Sequence, residues 1–365
     1  MMQATADEVL SRRFYRLNIC VAVALTLVIA VSILQFGVQA WQGERALGFV
    51  IVGNRNAEGW NRNQCEGIEK ACQNTGYELL LRDNVTPEAA PLTVKELAAK
   101  GARIIFLLTD CGNDTLTQLS SQYPNIHFYT LKGDISLPNV SQFGVQLMDV
   151  QYLAGMLAGL NTKTNNVGFI APRSMPETNQ YINAFTLGVQ RTNPAAQVLL
   201  IWTGSFDNPP MESQAVMSMR AERVDTLTYY QVGGTIPDTA QFAGIDFISS
   251  HEGYPHYSHY LGNIQVDWGI FYTDLLRRYS KQADAGRRIA RFAPVVDFRL
   301  AKRLTPRERA VLETARWETK QARPVFVGEI YDRKGIKRSE ANEAISYDTL
   351  KNIDWLVRGV RSIGN

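Results

Sequence analysis

The sequence predicts an α/β fold of two lobes built on parallel sheets, with a transmembrane helix ahead of them. Three observations lead there. Short apolar runs alternate with amphipathic stretches along the body of the chain, the mark of parallel strands joined by crossover helices. The 365 residues leave room for two units of ordinary domain size once an N-terminal segment of different character is set aside. That segment, from Ile19 to Leu34 (ICVAVALTLVIAVSIL), carries no charge.

Extended to Leu17 and Val38, the apolar run is ~22 residues long, about 33 Å as a helix, which spans a bilayer. Arg12, Arg13 and Arg16 precede it. The positive-inside bias then puts residues 1–16 in the cytoplasm and the body beyond the inner membrane, on the periplasmic side. Val38-Gln39-Ala40 has the small residues of a signal-peptidase site, so the alternative to a retained anchor over 17–38 is a cleaved leader. Cys20 stands at the start of the apolar run, where a lipid-modified cysteine would follow it.

In the body, Leu47–Val52 reads as a buried strand, 54–61 as a polar loop, and Asn63–Asn74 as a helix closed by Gly76. Tyr77–Arg82, Arg103–Thr109 and Ile126–Leu131 are further strands, with helices at Pro91–Lys100 and Leu116–Gln122. Asp149–Leu160 is an apolar helix rich in small residues, suited to close packing where two lobes meet. A second set of strands follows at Val167–Ala171, Val198–Thr203, Thr226–Gln231 and Gly244–Ile248, with helices at Glu177–Thr192 and Glu212–Ala221. Pro324–Ile330 reads as a late strand and Tyr347–Val360 as a late helix returning to the first lobe. The first lobe is thus 45–150 with 323–360, and the second is 151–322 with the hinge segments.

Charged residues make up 20% and hydrophobic residues 45% of the chain, a globular balance. A net charge of only +3, with bases scattered among acids, gives no footprint for nucleic acid. Of the cysteines, Cys65 lies early in a helix and Cys111 past a strand end, so they could bridge in an oxidising compartment; buried free thiols are the alternative. No CxxC pair is present, and no phosphate-binding loop, GxSxG, HExxH or GxGxxG after a strand. The run from His251 to His259 (HEGYPHYSH) has metal-like composition, but Gly253 and Pro255 break the helix that would align ligands. No cofactor or metal is expected, and no enzyme activity.

Ligands of open α/β sheets bind outside the carboxyl ends of the strands. This directs attention to loops 54–61, 109–113, 204–210, 231–235 and 246–254, which two facing sheets would gather around one cleft. Trp60 has no periodic reason to be core, so it is a candidate to stack on a planar ligand or to fold back as a lid. Asn61 offers donors and an acceptor for a nucleobase edge. Asp110 and Asp246 are read as carboxylates at strand ends, able to hold paired hydroxyls or to cap a turn. Asp267 before Trp268 reads as a helix cap.

Gly59-Trp60-Asn61 with Glu66-Gly67, Tyr123-Pro124, Pro138-Asn139-Val140, Tyr152-Leu-Ala-Gly155, Asn165-Asn166-Val-Gly-Phe-Ile170, Asn193-Pro194, Trp202-Thr-Gly-Ser-Phe206, Asp267-Trp268 and Asp354-Trp-Leu-Val-Arg-Gly-Val360 occur in that order. Together they resemble the basic membrane protein (BMP) family of ABC-transporter substrate-binding proteins, which includes purine-nucleoside receptors and Med-like members. The resemblance implies a two-lobe periplasmic-binding-protein fold of type I that closes on a nucleoside-like solute and serves a permease and an ATPase. By position it makes Trp60 the stacking aromatic, Asn61 its neighbour, Asp110 a ligand-contacting loop residue and Asp246 the ribose-binding aspartate. Gly233 and Gly234 match a close backbone approach. Three features depart from the family: Ala57 stands where an acidic residue is usual, an apolar anchor replaces the usual lipoprotein cysteine, and a basic stretch is present late in the chain. The basic stretch from Arg299 to Arg323 reads as a solvated face or a permease-docking surface. The alternative function is a sensory ectodomain acting through a membrane partner.

Overall fold

The computed structural model describes residues 25–28, 31, 45–57, 59–131, 135–251, 253–281, 288–290, 294–321 and 324–364. The first lobe opens with β1 (Ala46–Val50), α1 (Trp60–Thr75), β2 (Glu78–Arg82), α2 (Ala90–Ala99), β3 (Ala102–Leu107), α3 (Gly112–Gln122), β4 (His127–Thr130) and β5 (Val140–Val145). The chain then crosses into the second lobe. There it forms α4 (Met148–Asn161), β6 (Asn166–Ala171), α5 (Pro176–Thr192), β7 (Gln197–Trp202), α6 (Pro209–Ala221), β8 (Thr226–Tyr229), α7 (Thr235–Ala243), β9 (Asp246–Ser249) and β10 (Tyr260–Val266). It returns to the first lobe for α8 (Trp268–Ser280) and β11 (Arg288–Ala290). A third crossing leads to β12 (Val296–Leu300), α9 (Pro306–Lys320), β13 (Ile330–Tyr331), β14 (Lys337–Ser339), α10 (Tyr347–Leu350) and β15 (Val360–Ser362).

Two sheets result, in the orders β11-β5-β4-β3-β1-β2 and β12-β10-β9-β8-β6-β7-β15. All their pairings are parallel except β10 with β12. Alternation along β1 shows why the first sheet is buried on both faces. Leu47, Phe49 and Ile51 enter the cluster under α1 and α8, and Val50 enters the one under α2 and α3. Tyr272 of α8 closes the first cluster, its ring set edge-on to Phe49 (5.7 Å) and Phe106 (5.2 Å). Helices α1 and α8 approach closely because Gly67 has no side chain; a Cβ there would lie 2.4 Å from the Trp268 Cβ.

The second sheet is covered on one face by α6 and α7 and on the other by α4, α5, α9 and the C-terminal segment. The small residues of α4 serve this lobe and not the junction between lobes: a Cβ at Gly155 would fall 1.9 Å from the Phe185 carbonyl oxygen, and one at Gly188 2.1 Å from that of Tyr152. A row of amides on α5 then straps down the irregular segment 350–358. Asn179 donates to the Ile353 carbonyl (3.1 Å), Gln180 to Leu350 (2.7 Å), Asn183 to Trp355 (3.0 Å) and Gln190 to Arg358 (2.6 Å). Asn183 also accepts from the Val357 N–H at 2.9 Å.

The packing of this segment and of α8 departs from the sequence expectations. Of the stretch 323–360 expected with the first lobe, the described residues 324–360 belong with the second, since Phe326, Ile330, Leu356 and Val360 join its core and β15 pairs with β7. The late helix is only Tyr347–Leu350, because the backbone beyond is bound by α5, and the late strand shrinks to Ile330–Tyr331, paired with Lys337–Ser339. Conversely α8 and β11, placed by sequence in the second lobe, pack on the first. The crossings at 145–148 and 266–268 lie beside the chain on either side of the third, tied by Gln146 N–H to the Ala290 carbonyl and Asp267 N–H to that of Val295, both 2.8 Å. Val145, Val266 and Val295 touch both cores.

Of the apolar segment over 17–38, only 25–28 and 31 are described; they are helical, with Leu25, Leu27, Val28 and Val31 exposed. Among the described residues no helix is long and apolar enough to cross a membrane. The rest of that segment, the tail 1–16, Cys20 and the Val38–Ala40 motif lie outside the described residues.

Candidate functional site

The carboxyl edges of both sheets face one another across the crossings. From the first lobe come 51–57 and 59 after β1 and 108–112 after β3; from the second, 203–208 after β7, 230–234 after β8 and 250–251 with 253–254 after β9. The lobes touch. Trp60 N–H donates to the Val232 carbonyl at 3.3 Å, and Gly59, with φ 89° and ψ −128°, lies so close that a Cβ would sit 1.7 Å from that oxygen.

Trp60 and Asn61 are in the first turn of α1, not in the preceding loop. The helix starts early because Gly59 takes the positive φ that turns the chain into it. Trp60 is half-buried against the first-lobe core. Its indole N–H, at 3.2 Å, and that of Trp268, at 3.1 Å, reach the Gln64 carbonyl oxygen when that amide is oriented to donate to Tyr272. Asn61 is buried, and its Nδ2 donates to the Val52 (3.0 Å) and Asn54 (3.2 Å) carbonyls, so its donors hold the loop after β1. Asp110 lies exposed at the end of β3, where its Oδ1 accepts from Gly112 N–H (3.2 Å). Beside it Thr109 Oγ1 is buried with no hydrogen-bond partner.

Asp246 is at the other end of the molecule. It begins β9, so it lies on the amino edge of the second sheet, away from the cleft. Its carboxylate is held by Asn161 Nδ2 (2.9 Å), His259 Nδ1 (2.9 Å) and Arg303 (2.8 Å). The reading as a strand-end aspartate fails because the strand runs to Ser249 and starts at the aspartate. Gly233 and Gly234 do lie in the cleft loop after β8, with Gly233 near Asp207 and Gly234 preceding α7.

The second lobe adds residues that sequence reasoning passed over. Phe206, in the loop after β7, sets its ring edge-on to Tyr230 at 5.8 Å, and Tyr230 meets Tyr181 in the same way at 5.0 Å. Both phenols donate to Glu177 Oε1, at 3.2 and 3.1 Å. Burial, with the Glu177 charge beside them, raises both phenol pKa values well above the ordinary one. The Phe206 backbone is fixed by its carbonyl, which accepts from Val232 N–H (3.0 Å) and, when the Gln231 amide is oriented to accept from Thr203, from that amide's nitrogen (2.8 Å). Phe206 is thus a ring held on a rigid frame. Its signal was available, an aromatic in a loop at a strand's carboxyl end.

His251, after β9, rests its Nε2 on the Gln231 carbonyl. Burial lowers its pKa, an effect the carbonyl opposes. The neutral ring then donates from Nε2 and keeps an acceptor on Nδ1. The histidines of the 251–259 run do not converge: His259 binds Asp246, and His256 packs edge-on to Tyr257 at 4.5 Å. Among the described residues no three potential metal ligands come together; Glu252 lies outside them. Cys65, Cys72 and Cys111 are free. Cys65 and Cys111 lie in clusters on opposite faces of the first sheet, which excludes their bridge.

A sequence profile of the family described as ABC transporter substrate-binding protein PnrA-like matches residues 45–243. A purine-binding protein of Brucella abortus is 24% identical over 233 residues, covering 62% of this chain and 67% of that one. A Haloferax volcanii protein named for ABC-transporter glucose binding is 26% identical over 206 residues, covering 55% and 53%. Among solved structures, a solute-binding protein of Conexibacter woesei superposes with a TM-score of 0.62 at 17% identity, covering 76% of this chain and 96% of its own. A transcriptional activator of the comK gene from Bacillus halodurans gives 0.67 at 19%, covering 76% and 98%. At these identities the structures show the shared two-lobe fold.

Proposed function

The chain belongs to the PnrA-like family of ABC-transporter substrate-binding proteins, and on that premise we propose that it captures a purine nucleoside or a similar planar polar solute between its lobes. The observation that carries this is the fixed aromatic frame of Phe206 and Tyr230 in the second lobe, facing the first-lobe edge that holds Trp60, Asp110 and the unpartnered Thr109 hydroxyl. A ring system would stack on the frame while polar groups at its rim reach Thr109, Asp110 and His251. The purine-binding name of the Brucella relative supports this ligand class. The closed ligand-bound form passes to a permease and its ATPase. The chain stays tethered by the apolar segment over 17–38, whose described residues are helical with exposed leucine and valine.

Thermal unfolding against purine nucleosides, free purines and glucose tests the reading, since a ligand of the native state raises the midpoint. A rise with a purine compound that Phe206→Ala abolishes is expected. A rise with glucose alone, or with none of them, sinks the purine assignment.

A further inference from the structure

We propose that the amino edge of the first sheet is a basic, tyrosine-bearing face that lies against the anionic surface of the bilayer holding the chain's anchor. The inference rests on the anchored reading above. Residues 39–44 separate Val38 from Arg45, and seven peptide steps, fully extended, reach no more than about 25 Å. Arg45 immediately precedes β1, so this edge is the part of the body nearest the anchor.

Strands β1 to β4 begin at this edge, and α1, α2, α3 and α8 end there, which brings residues distant in sequence together. The Tyr279 ring lies 5.5 Å from that of His127. Tyr77 is within electrostatic reach of both Tyr279 and Arg45, and Tyr279 of Arg103. Lys100, Arg103, Arg277 and Lys281 are exposed around them. Among the described residues the acids on the face are Glu78, exposed; Asp274, paired with Arg278 at 2.9 Å; and Glu96, shared by Arg82 (2.6 Å) and Lys100 (3.0 Å). Arg103, Arg277 and Lys281 have no acidic partner among the described residues, so the described part of the face carries unbalanced positive charge.

A blander account is available for some of these bases: Arg277 and Lys281 end a helix, where cations suit the dipole. It does not reach Arg45 and Arg103, which stand at strand starts. The corresponding edge of the second sheet differs, since Asp225 and Asp246 lie there, bound by Thr162, Asn161, His259 and Arg303. Half-buried tyrosines with polar tips beside arginines suit a headgroup layer. Resting on that face, the first lobe is held while the second is left to swing.

The test uses the full chain in nanodiscs of phosphatidylcholine alone or mixed with phosphatidylglycerol, read by amide hydrogen exchange. Residues 77–78, 100–103, 123–127 and 277–281 are expected to exchange more slowly in the anionic discs. The protection should vanish in about 1 M salt, where the screening length falls to about 3 Å. Arg103→Gln, Arg277→Gln and Lys281→Gln together should remove it, each lost charge lowering the contact equilibrium about fivefold. The ligand-induced midpoint shift should survive in that variant, which separates this surface from the cleft. Equal exchange in both discs, or protection that the triple variant keeps, overturns the proposal. A chain that associates with neither disc overturns it as well, by removing the anchor, whatever the cleft binds.

Discussion

Gly59→Ala should disable closure while leaving both lobes folded. In the closed arrangement the new methyl would lie 1.7 Å from the Val232 carbonyl oxygen, more than an ångström inside any ordinary contact. Forcing extra carbon into a packed site costs typically 1–3 kcal/mol. The backbone at φ 89° and ψ −128° is a glycine conformation, and an alanine held there adds roughly 1–3 kcal/mol of strain. An open molecule can relax the loop after β1 because Val232 belongs to the other lobe, so most of the penalty falls on the ligand-bound closed state. The expected loss in ligand affinity is therefore about 2–4 kcal/mol, or roughly 30- to 1,000-fold in Kd. Calorimetric titration with whichever purine compound stabilises the wild type measures it, and small-angle scattering with and without that ligand shows whether compaction is lost. An affinity within a factor of two of wild type, with normal compaction, would refute the idea that Gly59 against Val232 is the closing contact.

Thr109→Val replaces a hydroxyl that has no partner in the fold, so stability should hold or rise slightly while ligand affinity falls, about three- to tenfold for a single lost hydrogen bond; an unchanged affinity in the same titration excludes Thr109 from the site. Asn183→Ala deprives the Trp355 carbonyl and the Val357 N–H of their buried partner and should cost about 2–4 kcal/mol. Urea unfolding reads this, and a variant as stable as wild type would show that the strap carries little. Asp332 is buried, and burial alone would raise its pKa; bonds from Arg338 and from the Ile336 and Lys334 N–H groups outweigh that and hold it below the ordinary carboxylate value. Its stabilisation is then full above the unfolded pKa near 3.8 and is lost as pH falls through the depressed folded one. Asp332→Asn should flatten the melting profile below about pH 4, and identical acid slopes in the two proteins would count against this.

The strands legible in the sequence are those whose five or six apolar residues are buried on both faces, such as β1, β3, β6 and β7. β5 and β10 escaped notice because Ser141, Gln142, Asn263 and Gln265 interrupt their apolar character. Asn263 is buried at 3% exposure only because it bonds Tyr260 and the His251 carbonyl, partners no local pattern reveals. The buried face of α1 contains Asn61 and Gln64, which hid its first turn and made Trp60 look like a loop residue. Residues 347–360 have the composition of a helix, but amides more than 150 positions earlier on α5 take their backbone groups. The cleft loops could be located from strand ends alone. Which side chains they present could not, because the fates of Asn61 and Asp246 depend on groups such as the Val52 carbonyl, Asn161 and Arg303.

The threefold crossing between lobes also sets an order of events on the ribosome. By residue 145 the strands carrying Phe49, Phe106, Tyr129 and Phe143 have been made, but the helix that covers them with Trp268, Phe271 and Tyr272 has not. Roughly 120 further residues must be added first, which at about 5–20 residues per second takes about 6–24 s. Through that interval the nascent chain carries an aromatic face covered by α1 alone, a natural client surface for a holding chaperone and a point at which slow translation would favour aggregation. The first lobe can close once β11 has emerged, whereas the second lobe waits about 70 residues longer for its strap and β15.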